Sequence, residues 1–197
     1  MGNGNRGNIM IIKNGLVFTP EGKFEKKDLY VEGEYVAKET TDNKEVEAEG
    51  CYVIPGLVDI HFHGCVRHDM CDGTEESIQA LADYEAANGV LAICPATMTI
   101  PEEELFQAMK AAKGHKNGKG ADLVGINMEG PFINKEKKGA QKEEDIKLAD
   151  VELFHKLQEA AGGLIKLVDL APETEGAMDF IIPEDFNFAY DVMDEWA

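Results

Sequence analysis

The chain has 197 residues, 44% of them hydrophobic, which supports a packed core and excludes disorder as its general state. Acidic residues number 38 against 19 Lys plus Arg, giving a formal charge of −19. Such a field repels phosphodiester backbones and argues against nucleic acid as a partner, while admitting a small phosphorylated ligand held by a few local cations. No apolar stretch approaches the ~20 residues of a membrane helix and no apolar signal segment opens the chain, so a cytoplasmic protein without a membrane partner is expected.

Residues 1–9, Gly/Asn-rich, read as a disordered tail. Residues 10–51 read as a small antiparallel β unit of sandwich type, with strands over 10–19, 28–33, 35–39 and 45–48, punctuated by Asn14-Gly15, Glu21-Gly22 and Glu32-Gly33. The pattern then changes to alternating apolar runs and amphipathic segments. A strand is expected over 57–62. A helix follows, capped by Thr74, with Glu75 and Glu76 in its first turn and Gly89 behind it.

Residues 90–94 form the next strand. The run Thr99-Ile-Pro-Glu102 reads as a capping box for a second helix, with Leu105, Phe106, Met109 and Ala112 on one face and Gly114 at its end. Then come a strand over 123–128, a helix over 151–161 and a strand over 164–170. This alternation predicts βαβ units and a parallel sheet, in an α/β unit over 52–182. The order alone does not separate an open doubly wound sheet from a (β/α)8 barrel. Residues 183–197, PEDFNFAYDVMDEWA, are an acidic tail that reads either as a short amphipathic helix or as a docking segment.

The chemistry concentrates in VIPGLVDIHFHG, residues 53–64. His61 and His63 lie two apart at the end of a predicted strand, so both imidazoles face one side, at the strand end where α/β folds place catalysis. A second segment, NMEGPFIN, ends a strand in Glu129 and breaks it with Gly130-Pro131. A carboxylate there, in the same layer as the two histidines, has the reach to share an ion with them, while by itself it reads as an ordinary solvated Glu. Cys51, Cys65, Cys71 and Cys94 form no CxxC pair and read as reduced thiols, although Cys65 and Cys71 lie near the histidines. His68 reads as a loop contact, and His115 and His155 as surface residues.

PGLVDIHFHG resembles the first-strand motif of the amidohydrolase superfamily, with Asp59 as its acidic residue. NMEGPF and KKGAQ, residues 137–141, resemble segments of the N-acetylglucosamine-6-phosphate deacetylase family, and LAPE, residues 170–173, resembles that family's fourth-strand end. The resemblance runs from about residue 10 to about residue 180. It implies a metal-dependent (β/α)8 barrel, of which this chain carries the first half, with a divergent tail.

The resemblance further implies His61, His63 and Glu129 as metal ligands, with zinc or iron, one or two ions, as cofactor. It implies substrate contacts at Ala140 and Gln141, where Gln141 stands in place of the family's more usual His. The implied activity is hydrolysis of the acetamide of N-acetylglucosamine 6-phosphate to glucosamine 6-phosphate and acetate, in a homo-oligomer acting on a small phosphorylated amino sugar. The family's catalytic Asp is expected beyond this chain, so the chain alone is expected to show little turnover. The competing readings are another amidohydrolase, dihydroorotase-like or deaminase-like, and a truncated non-catalytic metal-binding relative.

Overall fold

The computed structural model describes residues 10–33, 35–40 and 44–178. The predicted tails over 1–9 and 183–197 lie outside these residues. The chain divides into two compact units, Met1–Pro55 and Gly56–Ala197.

The first unit is one five-stranded sheet. Strand β1 (Met10–Phe18) pairs antiparallel with β2 (Phe24–Glu32), which pairs antiparallel with β3 (Tyr35–Ala37). On its other edge β1 meets β4 (Glu45–Glu47) and β5 (Tyr52–Val53), both parallel to it. The sheet is therefore mixed rather than antiparallel. The chain leaves β3 and returns along the far edge of β1, running in the direction of β1. Strand β2 also starts earlier than residue 28, because the turn after Thr19 brings Phe24 opposite Phe18. That pair stacks with ring centroids 5.2 Å apart, and Phe24 meets Tyr52 at 4.8 Å. Lys13 and Asp28 form an ion pair across β1 and β2 at 2.6 Å. Val17 and Ala48 are its buried apolar residues among those described.

The second unit alternates as the hydrophobic pattern predicts. Its elements are β6 (Leu57–Asp59), a small hairpin of β7 (Gly64–Cys65) and β8 (His68–Asp69), α1 (Glu75–Ala87), β9 (Val90–Ile93), α2 (Glu102–Gly114), β10 (Asp122–Leu123), β11 (Ile126–Glu129), α3 (Val151–Ala160) and β12 (Ile165–Asp169). Strands β6, β9 and β10 pair in parallel, and so do β11 and β12. A parallel bridge between Ala96 and Asn127 links the two groups. The strands thus follow one another in chain order. The predicted strand over 123–128 is split in two around Gly125, a position packed so closely that a Cβ would collide with Cys94 Sγ and Lys166.

Local chemistry explains the helices. Thr74 Oγ1 accepts from the Ser77 N–H at 3.1 Å and caps α1, whose first turn carries Glu75 and Glu76. Gly89, at φ 87°, lies just past its end. Asp150 caps α3 by accepting from the Leu153 N–H at 2.9 Å. The capping box expected at Thr99 and Glu102 is absent. Pro101 occupies the N-cap of α2 with no side-chain cap, and the Thr99 N–H is taken elsewhere. The helices bury Ile78, Leu81, Leu105, Met109 and Leu157 against Ile93, Ile126, Met128 and Phe132. At about 25 cal/mol per Å² of apolar surface, this cluster is the main stabilising term of the unit. No helix among the described residues is long and apolar enough to cross a membrane.

Candidate metal centre

The strand predicted to run through residue 62 stops at Asp59. The Asp59 carboxylate folds back and accepts from the His61 N–H at 3.0 Å, ending the regular ladder. The chain stays anchored beyond that point. The Ala96 N–H donates to Phe62 O at 2.7 Å, and the Met70 N–H donates to His63 O at 3.1 Å. His61 and His63 therefore project from a pinned segment at the strand's C-terminal end. Their rings lie edge to face with centroids 5.2 Å apart.

Glu129 ends β11 in the same layer. Its Oε2 lies 3.2 Å from His61 Nε2 and 3.2 Å from His63 Nε2. The ligand-type atoms of these three residues all fall within 4.8 Å of one another. Two donors each about 2.0–2.1 Å from a tetrahedral ion lie roughly 3.3 Å apart, so the observed separations fit a shared cation. Either contact alone would read as an imidazole–carboxylate hydrogen bond. Two imidazole nitrogens meeting one carboxylate oxygen at equal distance is the arrangement of donors around an ion. Three protein donors leave a position for water or substrate. The histidine side chains are 44% and 37% exposed, so the outer side of the centre is open to solvent.

Two side chains that the sequence reading did not assign to this centre hold it in place. Asn127 sits two residues before Glu129 on β11. Its Nδ2 lies 2.9 Å from His61 Nδ1 and donates to Ile60 O at 3.1 Å. The amide nitrogen that donates to Ile60 O thus also faces His61 Nδ1, which holds the ring with its Nε2 toward Glu129. The other is Gln141. The resemblance implies a substrate contact there, yet the side chain is buried, at 4% exposure. Its Nε2 donates to Glu129 Oε1 at 2.6 Å, and its Oε1 accepts from the Thr99 N–H at 2.7 Å. Glu129 Oε1 is thereby occupied and Oε2 is turned to the histidines. Ala140, beside it, is exposed.

A third neighbour is Asp169, at the end of β12 and in register with Glu129. Burial pushes its carboxyl above the ordinary aspartate range, as does the charge of Glu129, while His61 and His63 pull it down. The sequence signal for it was an acid at a strand's C-terminal end, the same signal that singles out Glu129.

The remaining candidates lie apart from the centre. Cys71 is pushed up to about 12, chiefly by burial, and its sulfur accepts from the Met98 N–H at 3.1 Å. Such a thiol stays protonated and is a poor metal ligand. His68 Nδ1 is 3.8 Å from Asp72 Oδ2. His115, expected at the surface, is half-buried with Nε2 enclosed and without a partner. His155 is exposed on α3. A cavity of about 750 Å³ lies at the start of α3 and contains none of the three central residues. Its Lys147 and Lys156 are paired to Glu102 and Glu152, at 3.1 and 2.7 Å.

No family model matches the chain. The N-acetylglucosamine-6-phosphate deacetylase of Bacillus subtilis (strain 168) is 34% identical over 177 residues, covering 87% of this chain and 43% of the relative. The N-acetylgalactosamine-6-phosphate deacetylase of Escherichia coli O157:H7 is 28% identical over 174 residues, covering 87% of this chain and 46% of the relative. The chain thus spans less than half the length of these curated relatives. Among solved structures, the N-acetylglucosamine-6-phosphate deacetylase of Pasteurella multocida superposes with TM-score 0.77 at 20% identity, over 87% of this chain and 47% of that one. The Mycobacterium smegmatis enzyme, solved in complex with N-acetyl-D-glucosamine-6-phosphate, gives 0.76 at 22% identity, over 89% and 46%. At these identities the structural likeness establishes a shared fold.

Proposed function

The chain belongs to the amidohydrolase family that includes the N-acetylglucosamine-6-phosphate deacetylases, and on that premise we propose that it carries the metal-binding part of a deacetylase of N-acetylglucosamine 6-phosphate. The observation that carries this reading is the convergence of His61 Nε2 and His63 Nε2 on one oxygen of Glu129, each at 3.2 Å. We read these three residues as the ligands of a divalent ion, zinc or iron, at the rim of the first four strands of a (β/α)8 barrel. Nitrogen and oxygen donors of this kind suit both metals.

When bound, the metal supplies Lewis acidity to the acetamide carbonyl and lowers the pKa of water. The chain's own residues supply placement. Gln141 fixes which Glu129 oxygen faces the ion. Asn127 fixes the orientation of His61. The exposed backbone at Ala140 is read as the sugar contact, with the side chain of Gln141 turned inward from it. The half-open face over the histidines admits the acetamide. No residue of this chain is assigned as general base, a role worth about 10²- to 10⁴-fold, so turnover by the chain alone is expected to be slow.

The test is acetate release by metal-loaded protein from N-acetylglucosamine 6-phosphate, run beside its N-acetylgalactosamine epimer and a cyclic amide. Little acetate, released slowly and from the glucosamine derivative, and abolished by a chelator and by Glu129→Gln, is the expected result. Opening of the cyclic amide without acetate release would assign the centre to another amidohydrolase chemistry.

A further inference from the structure

The small hairpin that follows the histidines grows directly out of the metal centre. His63 O accepts from the Met70 N–H at 3.1 Å, and the next rungs pair Gly64 with Asp69 and Cys65 with His68. The base of this hairpin is fixed. Met70 is buried, the Asp69 carboxylate accepts from the Cys71 N–H at 2.7 Å, and a Cβ on Gly64 would strike His68 O. Two residues, Val66 and Arg67, make the tip, with φ of 45° and 69°. A turn left-handed at both central positions matches the twist of a hairpin and is ordinarily filled by Asn, Asp or Gly. Val66 is β-branched, a residue type for which this backbone is costly, so the pinned base holds the tip in its conformation.

Arg67 is exposed at that tip. It and Arg6 are the only arginines of the chain, against 38 acidic residues. Among the described residues no carboxylate pairs with it. The acids beside it are committed elsewhere: Asp69 to the Cys71 N–H, and Asp72 to the Asp69 N–H and, at 3.8 Å, to His68. Lys13, Lys26, Lys147 and Lys156, by contrast, each hold an acid. Lys138, in the loop read as the sugar contact, donates to Gln141 O at 3.0 Å. In a chain of formal charge −19, a phosphate carrying about −1.5 to −2 charges at pH 7 needs a cation free to meet it. A guanidinium offers a planar fork of donors that meets a phosphate bidentately, where an ammonium acts as a point charge.

The separation suits one substrate held at both ends. Three strand rises of about 3.3 Å carry the chain from His63 to the tip, roughly 10 Å. A hexose anchored on the metal centre through its 2-acetamido group carries its 6-phosphate on the far side of the ring, at a distance of the same order. We propose that Arg67 recognises the phosphate of the substrate, so that the hairpin after the histidines sets the preference for a phosphorylated over a neutral amino sugar. This rests on the reading of the centre as that of a deacetylase of N-acetylglucosamine 6-phosphate.

The experiment measures binding, by isothermal titration of the Zn²⁺-loaded chain with N-acetylglucosamine 6-phosphate and with N-acetylglucosamine. It compares the parent with Arg67→Gln, Arg67→Lys and Lys137→Gln, the last at an exposed cation of the sugar-contact loop. Zn²⁺ content and melting temperature are followed for each. The parent is expected to bind the phosphorylated sugar about tenfold or more tighter than the neutral one. Arg67→Gln is expected to bind the two sugars alike, with its Zn²⁺ content kept. Arg67→Lys is expected to recover part of the preference, since the charge remains and the fork is lost.

A preference that survives in Arg67→Gln, or one lost in Lys137→Gln instead, would overturn this inference and leave the deacetylase reading standing. Equal binding of the two sugars by the parent would do the same. A fall of the melting temperature and of both affinities together in Arg67→Gln would assign the arginine a structural role and also overturn it. Failure of the Zn²⁺-loaded parent to bind either sugar would overturn the deacetylase reading itself.

Discussion

Glu129 is shaped by three neighbours at once: two histidines at Oε2 and the Gln141 amide at Oε1. The motifs pointed to Glu129 and the histidine pair, because strand period and strand ends are written in local sequence. Gln141 was legible only as a loop residue. Its partner lies 12 positions away and its second contact, Thr99, 42 away, a pairing that no local spacing encodes. Gln141→Ala is expected to lower metal affinity roughly 10- to 100-fold, with Gln141→Glu failing to rescue it, since a second carboxylate cannot donate to Glu129. Equilibrium dialysis of the two variants checks this.

Glu85 offers a separate prediction. It is 8% exposed on α1, and burial first, then the charge of Asp59, raises its carboxyl above the ordinary value. The folded chain then binds more proton there than the unfolded chain. The associated stability is present at or below the unfolded value of about 4.3 and is lost as pH rises through the raised folded value. Glu85→Gln is expected to raise the melting temperature at pH 7 and to leave it nearly unchanged at pH 4, read by thermal denaturation at both pH values.

The elements divide between those that sequence chemistry specifies and those set by neighbours. Thr74 and Asp150 cap their helices as Ser/Thr/Asp residues before an apolar-periodic run should. Thr74→Ala is expected to cost about 1 kcal/mol, a fall of roughly 2–4 °C in melting temperature for a chain of this size. The failure of the capping box at α2 has a tertiary cause, since Gln141 claims the backbone N–H of Thr99.

The end of β6 is likewise set by a side chain, Asp59, competing with the ladder. Gly130 shows the reverse, a sequence signal with a strict steric reason. It sits at φ 76°, and a Cβ there would strike Thr99 Oγ1. Gly130→Ala is expected to destabilise the unit by more than 1 kcal/mol and to loosen Glu129, seen as lower metal affinity together with a lower denaturation midpoint.

For the chain as a whole, the alternation of strand and helix was readable because parallel strands buried by helices are nearly continuous apolar runs. The mixed sheet of the first unit was not, since pairing partners on the two edges of β1 lie far apart in sequence. In the second unit Leu57, Val58, Ile60, Leu91 and Val124 remain exposed, at 44–60%. Parallel strands in folded proteins are usually covered on both faces, so this apolar face is expected to drive self-association despite a net charge of −19. Light scattering as a function of protein concentration should show species larger than a monomer, and Val58→Lys should shift them toward monomer.

The central claim is that two imidazoles from the segment after β6 and a carboxylate from the end of β11 hold one metal centre. X-ray absorption at the zinc edge of the loaded protein tests it most directly. The account predicts a first shell of nitrogen and oxygen at about 2.0–2.1 Å, with the multiple-scattering signature of two imidazoles and no sulfur. A shell with sulfur at about 2.3 Å, which would place the ion on Cys65 or Cys71, or a shell without imidazole, would contradict it.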